Sequence, residues 1–183
     1  MKKFKICFFI IFILVLTTGF EVRDDWYLLK SDGFQIEFPK EPVSQPQMTN
    51  SEIGELKINL FICDESENKN DSNLVYLTGS TVYPDSIVKI INSDKTGVLN
   101  DFFRKSVDGT VTGSKGKLLS EKVIEIDNYP GREIKVDLME GQAVIKMRLY
   151  LVKNKLYIIE IITETSKVPN TSIDRFIDSF KLI

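Results

Sequence analysis

Three charged side chains, Glu133, Arg148 and Glu160, lie on neighbouring predicted strands and have the residue types for acid–base chemistry or ligand binding. Two carboxyl groups beside an arginine can act as a general acid and base, or they can anchor a charged ligand. The same residues also suit a ladder of ion pairs across one face of a sheet, with a structural role. From the sequence we favour the ladder and keep the ligand site as the alternative.

The register of the first two strands of this group follows from their turn. A two-residue turn at Glu140-Gly141 sets Glu133 opposite Arg148, which is a favourable pair. The same register sets Lys135 opposite Lys146, which is unfavourable because two like charges then face each other.

The next turn decides whether the third charge joins the group. A three-residue turn at Lys153–Lys155 sets Arg148 opposite Glu160. A two-residue turn would set Arg148 opposite Ile159 instead, because a slip of one residue moves every side chain to the other face. We predict the three-residue turn, since it pairs the charges.

Composition excludes the catalytic and metal chemistry that depends on histidine. The 183 residues contain no histidine, which removes Ser-His-Asp and Cys-His nucleophiles and histidine-containing zinc sites. Cys63 is the one cysteine outside the amino-terminal segment, so we expect no intramolecular disulfide. It ends an apolar run, where a buried small side chain is the expected role and a redox thiol the alternative.

Two further patterns resemble ligand sites without matching them. An acidic run after Cys63 lacks the glycine and the final glutamate of a calcium-binding EF-hand loop, so we expect a solvated loop. Three glycines follow a helix and precede a strand, the reverse of the order in phosphate-binding loops. We therefore predict no metal and no cofactor. The acidic run comprises Asp64, Glu65, Glu67 and Asp71, and the glycines are Gly109, Gly113 and Gly116.

The stretch Lys117–Thr163 positions the charged cluster, and it predicts four strands of an antiparallel meander. Apolar and polar residues alternate with period two along its strands. Pro130-Gly131 predicts a type II turn between the first two strands, the first of which we place at Lys122–Asp127. The last strand, Leu156–Thr163, is apolar on both faces except at Glu160, so it should be central and covered on both sides.

The rest of the chain predicts further strands and helices around this meander. We expect a loop at Lys40–Asn50, a short helix at Asp85–Ile91, a helix from Ser93 to Gly109, and a turn at Thr110–Gly116. A carboxyl-terminal helix capped by Thr171 or Ser172 should dock on the sheet through Ile173, Phe176, Ile177 and Phe180. The further predicted strands are Trp26–Leu29, Phe34–Phe38, Leu56–Cys63 and Leu74–Tyr83.

The order of these elements resembles the Mog1/PsbP-like group of small α/β/α sandwiches, including the DcrB-like exported bacterial proteins. The resemblance implies an α+β fold with an antiparallel sheet and helices packed on it, and a binding or accessory role without catalysis. Some PsbP relatives are linked to metal ions, but no histidine is present here to carry such a site over. A helix-grip or cystatin-like sheet is the alternative fold. The resemblance rests on Phe34-x-Ile36-x-Phe38-Pro39, Phe102-Phe103, Tyr129-Pro130-Gly131-Arg132-Glu133, Asn154-x-Leu156-Tyr157 and Phe176-x-x-Ser179-Phe180.

The amino-terminal segment has the pattern of a signal peptide. A lysine-rich start precedes the apolar run Ile6–Leu16, and the small residues Thr17-Thr18-Gly19 follow. We predict a signal peptide at 1–19 and a single α+β domain at 20–183, with an uncleaved membrane anchor as the alternative. Cys7 lies inside the apolar run, so we do not expect a lipid anchor.

These features favour an exported binding or accessory protein, periplasmic or secreted. Without the three lysines of the signal segment, 21 basic residues remain against 26 acidic ones, which disfavours a nucleic-acid partner. We expect the partner to be another extracytoplasmic or membrane protein, bound through loops such as Asp64–Asn73. Membrane contact is expected only if the signal segment is retained. The alternative function is a histidine-free hydrolase with paired carboxylates about 5–10 Å apart in a pocket.

Overall fold

The computed structural model describes residues 26–31, 33–51, 54–86 and 97–183. The predicted signal peptide, the predicted helix start at Ser93 and all but two residues of the predicted helix Asp85–Ile91 lie outside the described residues. Within the described ranges, no helix has both the length and the apolar character needed to cross a membrane.

The described part of the chain forms ten strands and two α-helices, which are numbered here in chain order. The strands are β1 (Tyr27–Ser31), β2 (Phe34–Phe38), β3 (Val43–Ser51), β4 (Gly54–Asp64), β5 (Asn73–Val82), β6 (Lys117–Ile126), β7 (Tyr129–Leu138), β8 (Ala143–Val152), β9 (Lys155–Glu164) and β10 (Lys181–Leu182). The helices are α1 (Gly97–Gly113) and α2 (Thr171–Asp178).

Seven strands form one antiparallel sheet in the order β3-β4-β5-β9-β8-β7-β6, and β1, β2 and β10 form a small second sheet. The strand β9 is central, as its apolar sequence predicts, with Ile159 and Ile161 buried on one face and Leu156 on the other. Helix α1 packs on the face of Leu156, over β7. Helix α2 and the small sheet cover the opposite face. The predicted α+β architecture is confirmed.

Helix α2 docks through the predicted apolar stripe. Phe176 and Ile177 are fully buried. Phe180, predicted on the same helix, lies two residues beyond its end and stacks on Phe34 with ring centroids 5.5 Å apart. The helix is capped by Asn170, whose side-chain oxygen accepts a hydrogen bond from the backbone N–H of Ile173 at 3.0 Å. The prediction of Thr171 or Ser172 as the cap is wrong by one or two residues, since Asn is an equally good cap.

Helix α1 continues four residues beyond its predicted end at Gly109. A side chain at Gly109 would meet nothing within 4 Å, so this glycine lies on an open helix surface and not at a left-handed cap. A glycine inside a helix costs about 1 kcal/mol relative to alanine, which the burial of Phe103 and Val107 offsets. The left-handed residue that ends the helix is Lys115, with φ of 53°.

The predicted loop Lys40–Asn50 is wrong, because most of it belongs to strand β3. Pro46 lies within β3, opposite Asn59 of β4. A proline cannot donate to a neighbouring strand, but it is tolerated on an edge strand, and β3 is one edge of the large sheet. The other edge, β6, contains a β-bulge between Leu118 and Ser120.

The first turn of the meander also differs from the prediction. Asp127 and Asn128, with φ of 49° and 66°, form a two-residue turn, and β6 begins at Lys117. Both residue types tolerate positive φ. Pro130 and Gly131 lie inside β7, where a side chain at Gly131 would come within 2.5 Å of the Leu149 carbonyl oxygen. This glycine therefore permits a close strand approach and does not form a type II turn.

Candidate functional site

Glu133 and Arg148 form the ion pair that the predicted register requires. They are opposite each other on β7 and β8, and the Arg148 Nε donates to Glu133 Oε2 at 2.8 Å. Burial alone would raise the pKa of Glu133, but the hydrogen bond and charge of Arg148 outweigh it and hold the pKa below its usual range. The connection between these strands spans four residues, from Met139 to Gln142, without changing the register.

The second carboxylate on Arg148 comes from helix α2. The Arg148 Nη1 donates to Asp178 Oδ1 at 2.8 Å. Two residues earlier on β8, Lys146 contacts Asp174 of the same helix at 3.4 Å, and it faces Lys135 of β7 as predicted. These contacts tie α2 to the sheet, which is a structural role for Arg148.

The prediction that Glu160 faces Arg148 is wrong. Lys153 and Asn154 form a two-residue turn, so Arg148 is opposite Ile159 and Glu160 is opposite Met147. Glu160 consequently points to the sheet face opposite that of Glu133. The predicted register, with Arg148 opposite Glu160, would move fully buried Ile159 out of its core. Burying one such side chain contributes ~1.5–3 kcal/mol to stability, whereas a surface ion pair contributes ~0–1 kcal/mol.

Glu160 lies among apolar side chains. Its cross-strand neighbours are Leu77 on β5 and Met147 on β8, while Ile158 and Ile162 flank it on its own strand and face. Burial raises the pKa of Glu160 to about 7. Among the residues that the structure describes, no side chain or backbone group forms a hydrogen bond or an ion pair with its carboxyl group.

Among the described residues, the same face of β4 and β5 carries apolar side chains that belong to neither hydrophobic core. Where α1 covers β7 and β8, the side chains that face the helix are buried. On the same sheet face, five apolar side chains of β4 and β5 are only half-buried. These five are Ile58, Leu60, Ile62, Val75 and Leu77. Together with Ile158, Glu160 and Ile162 they are called the Glu160 face. It is an apolar surface with one carboxyl group.

The loop between β4 and β5 is more ordered than its sequence predicts. The expectation of a solvated acidic loop is wrong for Glu65, which is 4% exposed. Its carboxylate pairs with Lys40 and accepts hydrogen bonds from Asn68 Nδ2 at 2.6 Å and from Cys63 Sγ at 3.2 Å. Further along, Asp71 accepts a hydrogen bond from the Tyr76 hydroxyl. The carboxylates of Glu65 and Asp71 are therefore already occupied by hydrogen bonds within the protein.

Cys63 has the buried position that its sequence predicts. Burial and the adjacent Glu65 carboxylate raise the pKa of its thiol to about 12, so the reactive thiolate is scarce at neutral pH. Metal binding has no obvious location either: no three His, Cys, Asp or Glu residues of the described ranges are grouped as ligands.

Arg132 is a buried charge, although the predicted turn at Pro130-Gly131 would have placed it at the surface. It is 7% exposed and donates to Asn100 Oδ1 on α1 at 2.7 Å. Its guanidinium lies 4.8 Å from the ring centroid of Phe103 and 3.4 Å from a Glu121 oxygen. With the turn moved to Asp127-Asn128, the alternation of β7 places this side chain toward α1.

We expect Arg148→Ala to lower the free energy of unfolding by ~1–3 kcal/mol, because it leaves the largely buried Glu133 without its cation. Chemical denaturation measures the loss. The matched control is Lys167→Ala, which breaks an exposed pair with Glu164 and should cost no more than ~1 kcal/mol. Equal losses in the two variants would contradict a structural role for Arg148.

Comparison with known proteins supports the fold. No family model and no curated protein matches the sequence. The solution structure of cyanobacterial PsbP (CyanoP) from Synechocystis sp. PCC 6803 is similar, with a TM-score of 0.52 and 12% identity over 92% of this chain and 99% of that one. A protein of unknown function from Pseudomonas aeruginosa, PA94, has a TM-score of 0.38 and 9% identity over 82% of this chain and 90% of that one.

The likeness to PsbP establishes the fold class. An antiparallel sheet with helices packed on it, in the Mog1/PsbP-like arrangement, is confirmed. The alternative of a helix-grip or cystatin-like sheet is therefore set aside. At 12% identity the likeness extends to the fold alone.

Proposed function

We propose that this chain is an exported, non-catalytic binding or accessory protein whose partner is another extracytoplasmic or membrane protein. The observation that carries the proposal is the Glu160 face. Soluble proteins rarely leave a contiguous apolar surface uncovered unless it binds something. Here half of one sheet face is buried under α1, while the half formed by β4 and β5 remains partly exposed.

The paired-carboxylate hydrolase has less support. Glu133 and Glu160 point to opposite faces of the sheet, so they cannot act on one substrate. Glu133 and Asp178 do meet, but both bind Arg148, and the pKa of Glu133 is lowered. A general acid needs a raised pKa at neutral pH, which an arginine partner opposes.

We propose a location for the site that differs from the sequence-based expectation of a loop. In the loop 64–73, the carboxylates of Glu65 and Asp71 already accept hydrogen bonds from within the protein. We therefore place partner binding on the Glu160 face. Export is proposed from the lysine-rich start and short apolar run of residues 1–19.

Photo-crosslinking tests the proposed role. A photoreactive amino acid replaces half-buried Leu60 on the Glu160 face, and a control carries it at Val123, which is 77% exposed on β6. After illumination in an extracytoplasmic extract, we expect a crosslinked protein from position 60 and none from position 123. Mass spectrometry of the same preparation should find chains that begin near residue 20.

Three outcomes would contradict the proposal. These are no crosslink from position 60, the same products from both positions, or a crosslink from position 60 only to residues 87–96 of the same chain. In addition, turnover of ester, phosphate or glycoside substrates that is lost in Glu133→Gln would contradict the non-catalytic role.

A further inference from the structure

Glu160 is an unusual residue for an apolar binding surface. Its carboxyl group lies at the centre of the row Ile62–Leu77–Glu160–Met147, which crosses four strands. Two other shielded carboxylates of the described ranges have cations: Glu65 has Lys40, and Glu133 has Arg148. Glu160 has no such partner in the described ranges. By contrast Glu164, on the same strand and face, has its Oε1 3.2 Å from Lys167 Nζ.

The charge of Glu160 restricts what can cover the Glu160 face. A wholly apolar occupant would remove the remaining water from an ionised carboxylate, which is costly without a compensating charge. A lysine or arginine that arrives with the occupant replaces that water with an ion pair. A bound metal ion is disfavoured, because it would need several oxygen ligands and only one carboxyl group is present.

The dimensions of the face indicate the shape of the occupant. From β4 to β9 the surface spans two strand spacings, or about 9.6 Å. An α-helix with its side chains is about 10–12 Å across. Helix α1 provides the precedent, since it covers the adjoining half of the same face through Phe103 and Val107. Strand addition is disfavoured because it occurs at sheet edges, and this surface lies within the sheet.

We propose that the Glu160 face binds an amphipathic helix of a partner protein, which presents a lysine or arginine to Glu160 from the middle of its apolar side. The apolar flanks of that helix pack on Leu60, Ile62 and Leu77. This inference rests on the binding role proposed above and adds the chemistry of the partner.

The test uses the segment that the crosslink from position 60 identifies. That segment is synthesised as a peptide in two forms, one with its central lysine or arginine and one with norleucine there. Binding of both peptides to the full chain, to Glu160→Gln and to the control Glu164→Gln is measured by calorimetry at pH 8. Circular dichroism of the complexes reports whether the peptide becomes helical.

We expect a helical segment with a basic residue among apolar ones. The norleucine peptide should bind the parent about tenfold or more weakly, as for loss of one member of a buried charge pair. In Glu160→Gln the two peptides should bind alike, whereas Glu164→Gln should behave as the parent does.

The outcomes separate the two proposals. A crosslinked segment without a basic residue, or one whose norleucine form binds the parent equally well, overturns the charge-pairing inference and leaves the binding role intact. Binding of the basic peptide to the parent that strengthens as the pH falls from 8 to 6 would identify proton uptake by Glu160 in place of ion pairing, and would also overturn it. Absence of any crosslinked partner overturns both proposals.

Discussion

Phe176→Ala is expected to lower the free energy of unfolding by ~3–5 kcal/mol, the usual cost of emptying a large buried aromatic site. Phe176 is fully buried where α2 meets both sheets. Its ring lies 5.1 Å from that of Phe38 in the small sheet and 5.2 Å from that of Tyr76 in the large one. The substitution therefore loosens three elements together, which chemical denaturation monitored by circular dichroism will measure.

The control for this prediction is Tyr27→Ala, which removes an aromatic side chain that is 38% exposed on β1. A substitution at such a site should change stability by roughly 0.5–1 kcal/mol. A denaturation midpoint for Phe176→Ala equal to that of the parent would show that α2 does not dock as described.

Glu160→Gln is expected to stabilise the protein at high pH. In the folded state burial raises the pKa of Glu160 from 4.5 to about 7, so the folded protein holds this proton more tightly than the unfolded chain. Stability is then lost as the pH rises from about 4.5 through 7. At 1.36 kcal/mol per pKa unit the loss approaches roughly 3 kcal/mol above pH 8, and glutamine removes it.

The measurement is the free energy of unfolding from pH 4 to 9 for the parent, Glu160→Gln and Glu164→Gln. The difference between Glu160→Gln and the parent should be smallest near pH 4 and largest near pH 9. Glu164 is half-exposed and paired with Lys167, so its variant should follow the parent. The groups facing Glu160 from β5 and β8 are Leu77 and Met147, which do not titrate. Parallel profiles for all three proteins would contradict the assigned environment.

Local patterns predicted the elements well, and they failed where distant residues decide the outcome. The pairing of Glu133 with Arg148 followed from alternation along β7 and β8. The position of Glu160 did not follow from this alternation. The length of the turn at Lys153-Asn154 is set by the burial of Ile159, and this turn prevents the predicted pairing of Arg148 with Glu160.

Two further misses have the same origin. Glu65 has the sequence pattern of an exposed loop carboxylate. Its burial depends on Lys40, which is 25 residues away in the sequence and pairs with it only in the folded protein. The Glu160 face has a strand pattern like that of its neighbours. Within the described ranges, its exposure depends on how far α1 extends across the sheet, which no local pattern encodes.

The two edges of the large sheet have a consequence for the behaviour of the protein at high concentration. An edge strand with continuous free backbone groups can recruit a strand from another molecule and start a fibril. On β3, Pro46 interrupts the row of donors, and on β6 the bulge between Leu118 and Ser120 disrupts the ladder. Both features make strand recruitment at the edges, and hence edge-to-edge polymerisation of the sheet, less favourable.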